Sequence, residues 1–181
     1  ATEWSSDKYK RNIYGTPSDS CGDYAWIQHM ICSMSSGKGR MAVVMPQGIL
    51  FRGNQEAEIR KQLVESDLIE AVVTLGDKLF YGTGLSPCFL IIRRMKQAHH
   101  SGRILMIDGS KILTQKRAQN ILEENDIDRL YSLYQNYSDE EDYSRIVTLQ
   151  EIRDKEYNLS PNRYVVYHKE EIRPYAEVLA E

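Results

Sequence analysis

The chain has 181 residues, of which 41% are hydrophobic and 27% charged, and it carries a formal charge of −3 at pH 7. That is enough for one globular unit with a real core. It excludes the global basic field of a free-standing nucleic-acid binder, though not a part of a larger DNA enzyme whose basic surface lies elsewhere. The apolar runs fall far short of a membrane span, so no membrane partner is expected.

Cys21, Cys32 and Cys88 are odd in number and widely spaced. They fit a reducing, cytoplasmic setting better than a disulfide frame. No Cys-x-x-Cys pair occurs and only His99 and His100 are neighbours, so no metal site is expected. Both ends read as cut. Ala1 opens directly into irregular polar sequence, and Pro174 to Glu181 reads as a helix just beginning.

Residues 1–21 show no usable period; Trp4, Tyr9 and Tyr14 punctuate them, and Tyr14-Gly15-Thr16-Pro17 signals a turn. A helix begins at Gly22-Asp23 with Asp23 as its cap. Tyr24, Ile27, Ile31 and Met34 recur on one face, Trp26 and His29 fall off it, and Gly37 and Gly39 stop it. Met41 to Met45 is a short apolar run closed by Pro46-Gln47-Gly48, which reads as a buried strand. Ligands gather beyond such strand ends in open α/β sheets, which makes Pro46 and Gly48 site candidates; a plain turn favours the same residues. Asn54 then caps a second helix with Glu56 and Glu58 in its first turn, Ile59 and Leu63 packed inward, and Arg60 and Lys61 on the solvated face.

Ile69 to Leu75 and Cys88 to Arg94 are further strands. Their near-continuous apolar runs suit a sheet buried on both faces. The loop between them, Gly76 to Pro87, holds the adjacent aromatics Phe80 and Tyr81, which must pack on something or stack on a ligand. Gly82-Thr83-Gly84 is too short for a dinucleotide fingerprint and no helix follows it, so a phosphate loop is rejected. Ile104 to Asp108 is a fourth strand; Asp108, before Gly109, reads first as a turn residue, with a cap or a ligand as the alternatives. The remainder is expected to be mostly helical. Ile127, Leu130, Tyr131 and Tyr134 form a stripe behind Asp126, and Ser138 to Asp142 is an acidic, solvated loop. Thr148-Leu149-Gln150-Glu151 is a capping box with Val147 and Ile152 as its hydrophobic staple, and the chain turns extended from Tyr157 to Tyr164.

Several ordered blocks carry a family resemblance. Gly22-Asp23-Tyr24-Ala25-Trp26-Ile27-Gln28-His29-Met30 is followed by Gly39-Arg40-Met41-Ala42-Val43-Val44-Met45-Pro46 and Gly48-Ile49-Leu50-Phe51-Arg52-Gly53. Then come Glu58-Ile59-Arg60, Leu79-Phe80-Tyr81-Gly82-Thr83-Gly84, and Tyr157-Asn158-Leu159 with Pro161, Arg163 and Tyr164. As a set these closely resemble the modification (methyltransferase) subunit of type I restriction-modification systems, over most of the chain from Trp4 to Tyr164.

The resemblance implies an α/β fold: a partial Rossmann-like, S-adenosylmethionine-dependent methyltransferase. Residues 1–108 would form the second half of the sheet with its flanking helices, and residues 109–181 a helical extension. It implies that the full-length protein methylates adenine N6 in DNA, which requires the base to leave the stack. The family's Asn-Pro-Pro-aromatic motif and Gly-rich cofactor turn are absent here and are expected before Ala1. No catalytic residue is therefore assigned in this chain. Alone, it is expected to be inactive and to bind S-adenosylmethionine poorly. The resemblance brings the aromatic loop near the flipped base, with Phe80 as the stacking face and Tyr81 second, beside Pro46 and Gly48. Lys78, Lys8, Lys10 and Arg11 become phosphate contacts. DNA, the specificity subunit and the restriction subunit are the implied partners. The alternative is a non-catalytic methyltransferase-like module that docks a specificity or partner subunit.

Overall fold

A computed structural model describes residues 6–168 of the protein. Trp4 and the helix start read at Pro174 to Glu181 lie outside these residues. Among the described residues five strands form one sheet: β1 (Arg40–Pro46), β2 (Ile69–Leu75), β3 (Pro87–Arg93), β4 (Arg103–Gly109) and β5 (Ser144–Thr148). Their spatial order is β1-β3-β2-β4-β5, with β2 and β4 parallel and the other neighbours antiparallel. The described helices are α1 (Asp23–Ser33), α2 (Asn54–Glu65), α3 (Glu124–Asn136) and α4 (Leu149–Asp154). This is the α/β class expected from the sequence, with all four anticipated strands in place.

Alternation along the strands sorts the side chains onto two faces. One face presents Val43, Leu90, Ile92, Val72, Met106 and Val147 to α1 and α2, where Tyr24, Ile27, Ile31, Ile59 and Leu63 are fully buried. The other presents Ala71, Val73, Leu75, Leu105 and Ile107 to Leu130, Leu133 and Tyr134 of α3. On that second face the β1 end is thinly covered, and Ala42 and Val44 are exposed. The first face holds the larger core because two helices cover it.

Several sequence expectations need correction. Gly22, not Asp23, is the N-cap of α1; Asp23 is the first helical residue, and its carboxylate pairs with Arg52 instead. Gly53 likewise caps α2, while Asn54 sits inside the helix with φ of 55°, a left-handed conformation that Asn tolerates better than most residues. Helix α1 ends at Ser33, before Gly37 and Gly39. Gly39 serves a different need, because a Cβ there would lie 2.5 Å from the Ser35 carbonyl oxygen.

Arg60, expected on the solvated face of α2, is only 2% exposed. Its guanidinium donates to the carbonyls of Arg52 (2.8 Å), Tyr157 (2.9 Å) and Ile49 (3.3 Å). These carbonyls belong to turns that have no ladder to satisfy them, which is why a charged side chain is drawn inward.

The stripe expected on α3 is rotated. Ile127 and Tyr131 are 53% and 60% exposed, whereas Leu133 is buried. The helix turns so that the Tyr134 hydroxyl can donate to Glu70 at 2.8 Å, a contact that periodicity cannot register. Strand β5 was missed inside the region expected to be mostly helical. It is short, follows the acidic run, and is held at Ile146 by a hydrogen bond from its amide to Asp139 Oδ1 (2.6 Å) as well as by β4. The capping box at α4 forms as read: Thr148 Oγ1 accepts from the Glu151 amide at 3.2 Å, and Glu151 accepts from the Thr148 amide at 3.0 Å.

The three thiols occupy different environments. Cys32 is exposed, Cys21 half-buried and Cys88 buried between β1 and β2. Burial pushes the Cys88 thiol up to about 12, and the thiolate is the reactive form. Iodoacetamide at mildly alkaline pH is expected to label Cys32 and spare Cys88 until denaturant is added, as read by mass spectrometry of tryptic peptides. Rapid labelling of Cys88 in the folded chain would mean that β3 is not held as described.

Candidate functional site

The carboxyl ends of β1 and β2 meet the start of β3, and one side chain ties them together. Gln47 lies just past β1 in a turn of 3-10 helix (Gln47–Leu50). Its Nε2 donates to the carbonyls of Leu75 (3.1 Å) and Pro87 (3.3 Å), and its amide donates to Ser86 (3.2 Å). These carbonyls mark both ends of the aromatic loop, so the loop leaves from and returns to fixed points. At its start, Gly76 passes so close to its neighbours that a Cβ would lie 2.1 Å from Leu113 Cδ2 and 2.8 Å from the Ser110 carbonyl oxygen. Only glycine fits there.

The loop is propped from below by residues 119–122. Asn120 donates from its amide to the Lys78 carbonyl (3.0 Å) and from Nδ2 to the Asp77 carbonyl (3.1 Å), and Gln119 Nε2 donates to the Leu79 carbonyl (3.0 Å). Between this prop and the sheet lies a cavity of about 290 Å³ with mainly apolar walls, among them Val44, Leu75, Phe80, Phe89, Ile121 and Leu122. Phe80 forms its rim and is 49% exposed. Tyr81, 93% exposed, stands outside it.

The sequence candidates therefore divide. Phe80 lines the cavity, and Lys78 lies two residues before it in the same loop, with φ of 53°. Pro46 and Gly48 stand at the end of β1 beside Gln47 but do not line the cavity. Lys8, Lys10 and Arg11 belong to the opposite end of the molecule. Their segment runs along α1 to the end of α2, where Gln28 accepts from the Tyr14 amide at 2.8 Å and the Tyr14 hydroxyl bonds Ser66 at 3.2 Å. Arg11 is paired with Asp7 at 2.7 Å. Sequence reasoning missed Gln47, Gln119 and Asn120. The one signal was a lone glutamine between Pro46 and Gly48.

Gly48 lies under Arg52, whose guanidinium would be 2.7 Å from a Cβ placed there. Asp23 and Glu56 hold Arg52 from both sides. Their hydrogen bonds, Glu56 first, raise the arginine's pKa against the cost of desolvation. Among the described residues, Cys21, Asp23 and Glu56 are the one group whose donor atoms come together as a metal site would need, within 4.8 Å of one another. The arginine already supplies the positive charge there. For a nucleoside-bearing cofactor the fit is poor. The cavity walls include no carboxylate to take a ribose and no helix N-terminus to take an acidic group. Apolar walls with one aromatic rim suit a flat base.

Residues 1–172 match the family of the N-6 DNA Methylase. The methylase subunit of the type I restriction enzyme MjaVII from Methanocaldococcus jannaschii is 38% identical over 173 residues, which cover 90% of this chain and 30% of that protein. The HindI methylase subunit from Haemophilus influenzae is 31% identical over 163 residues, covering 86% of this chain and 36% of that protein. The crystal structure of the type I restriction-modification methyltransferase subunit from Streptococcus thermophilus superposes with a TM-score of 0.82 at 28% identity, covering 91% of this chain and 35% of that one. The EcoKI M protein superposes with a TM-score of 0.61 at 16% identity over 82% of this chain and 38% of that one, which shows a shared fold. The chain thus spans about a third of the length of the relatives it matches.

Proposed function

Since the chain belongs to the N-6 DNA methylase family, we propose that it forms the second half of the catalytic domain of a type I restriction-modification methyltransferase subunit. The complete protein would transfer a methyl group from S-adenosylmethionine to adenine N6 in DNA. Residues 1–108 supply the catalytic half, and residues 109–181 extend it.

The observation that carries this proposal is the outer edge of β1. Among the described residues β1 pairs only with β3, which leaves a row of backbone donors and acceptors open along seven residues. Proteins guard such edges with lysine, proline within the strand, bulges or a covering segment. From Met41 to Met45 this edge carries no charge, no proline and no bulge, and Ala42 and Val44 are exposed beside it. A strand of this kind is built to be paired. The cavity rimmed by Phe80 opens next to that edge through Val44. A second half of the sheet, docked on β1, would bring its own groups to the mouth of the cavity.

On this proposal the chain's own residues do one half of the task. Phe80 stacks on the flipped adenine, and the apolar walls keep water from it. Gln47 and Asn120 fix the loop so that the ring is already in position, which lowers the ordering cost of binding. Lys78 is the phosphate contact nearest the cavity, while Lys8, Lys10 and Arg11 would meet only a different part of the DNA. The cofactor and the groups that hold the amine belong to the rest of the polypeptide. DNA and the specificity and restriction subunits are the partners.

Two measurements test this. Calorimetry on the 181-residue chain is expected to show no saturable binding of S-adenosylmethionine. Co-production with a segment bearing the Asn-Pro-Pro-aromatic motif and the Gly-rich turn is expected to restore adenine methylation. Micromolar cofactor binding by the chain alone, or a stable but inert complex, would overturn the proposal.

A further inference from the structure

A second cleft, of about 160 Å³, lies at the other end of β1, lined by Arg40, Glu70, Arg93, Gln97, His100 and Tyr134 among others. It opens on the same face of the sheet as the apolar cavity, because Arg40 pairs with Arg93 and Val44 with Phe89 in one register. Four residues of strand separate the two, about 13 Å at the usual rise.

Glu70 sits at a β-bulge, where the register of β2 against β3 shifts between Ile69 and Ala71. Bulges re-aim side chains, and this one turns a carboxylate into a space where it is only 2% exposed. Glu70 Oε2 accepts from the Tyr134 hydroxyl at 2.8 Å and lies 3.2 Å from Arg93 Nε. Its Oε1 lies 3.4 Å from His100 Nδ1. The Arg93 contact is an ion pair without a well-aligned hydrogen bond, so this buried Nε is left unsatisfied as a donor. His100 stacks on Tyr137, with ring centroids 3.5 Å apart, and burial disfavours its charged form.

The charges do not balance. Glu70 is the one carboxylate in the cleft, and Arg93 and two other groups already use it. Arg40 stands directly opposite Arg93 and has no carboxylate partner among the described residues. Like charges facing each other across strands are destabilising. The surrounding sequence gives no relief: no Asp or Glu occurs between Asp23 and Glu56, or between Asp77 and Asp108.

We propose that this cleft receives a carboxylate side chain from a polypeptide partner that lies along the exposed face of β1. The cleft is too small for a metabolite, since ligand pockets usually exceed about 300 Å³, but it suits a single oxyanion held by a guanidinium fork. A carboxylate is favoured over phosphate for two reasons. The buried Glu70 tolerates a singly charged neighbour better than a phosphate monoester or inorganic phosphate, which carry nearly two charges. The surface next to the cleft is apolar, with Ala42 and Val44 exposed, and a nucleic-acid backbone has nothing to cover it with. The partner segment therefore carries an acidic residue at one end followed by apolar side chains. Apart from Val44, this site uses no group of the apolar cavity, and it stands whether or not the methylation proposal does.

The arginine Nε–Hε resonances of the 181-residue chain test it, titrated with a blocked Glu-Leu-Leu-Leu peptide, its Gln-Leu-Leu-Leu counterpart, inorganic phosphate and a short DNA duplex. The acidic peptide is expected to shift Arg40 and Arg93 saturably, and the glutamine peptide to bind about tenfold more weakly. Arg40→Gln, at an exposed position, should lower the affinity about fivefold or more without lowering the melting temperature, since it removes one of two facing charges. An equal response to the glutamine peptide overturns the proposal. So does a stronger response to phosphate or duplex, indifference to Arg40→Gln, or no shift with any probe.

Discussion

Replacing Phe80 with alanine is expected to cut adenine methylation by the assembled enzyme about five- to 150-fold, the kinetic equivalent of a base–aromatic stack worth about 1–3 kcal/mol. Folding should hardly change. The ring is already 49% exposed, so truncation forfeits only part of the burial free energy of a phenylalanine and costs about 1 kcal/mol. Phe80→Trp keeps a stacking face and should retain most of the activity. Tyr81→Ala, outside the cavity, should have the smaller effect. Initial rates and thermal melts measured on the same preparations decide the matter. If activity and melting temperature fall together, Phe80 is a plug for the loop and the base-stacking role is wrong.

The largest loss of stability is expected at Arg60. Arg60→Met keeps the aliphatic stem and removes the guanidinium, which leaves the carbonyls of Arg52 and Tyr157 without this donor. Ile49 is spared, because its carbonyl also accepts from the Tyr24 hydroxyl at 2.7 Å. Two hydrogen bonds from a charged donor to part-buried carbonyls, each worth about 1.5–3 kcal/mol, make the expected cost about 3–5 kcal/mol. A urea denaturation curve should show a lower midpoint with an unchanged slope. The neighbouring Lys61→Ala should shift it by less than about 0.5 kcal/mol. Equal effects at the two positions would mean that Arg60 is solvated after all.

Arg60 also shows where the amino-acid sequence stops being informative. Periodicity distinguishes sides of a helix, and on that basis Arg60 and Lys61 look alike. What separates them is the course of the chain around Tyr157, nearly a hundred residues later. The strands were legible because β-branched runs bounded by Gly and Pro have few alternatives. The box at Thr148 was legible because all its partners lie within four residues. Strand β5 was not, since five residues beside an acidic turn depend on β4 for their identity. The candidate site shows the same division. Two adjacent aromatics in a glycine-rich loop draw attention to Phe80 at once. Gln47 and Asn120, which hold that loop, act through backbone carbonyls, and any polar side chain of the right length could be written there. Family resemblance supplied the chemistry, because the blocks that carry it are specific as an ordered set even where each alone is ordinary.

The strand order has a consequence for synthesis. Strand β3 fills the place between β1 and β2, so among the described residues neither of those two has a hydrogen-bonding neighbour until β3 has been made. On the ribosome, β1 and β2 cannot pair through this stretch until then, and the two come together around the newcomer. The outer row of β1 is the part that this stretch of polypeptide never pairs by itself, so a chain in which that row stays open is a natural client for chaperones that hold open strands.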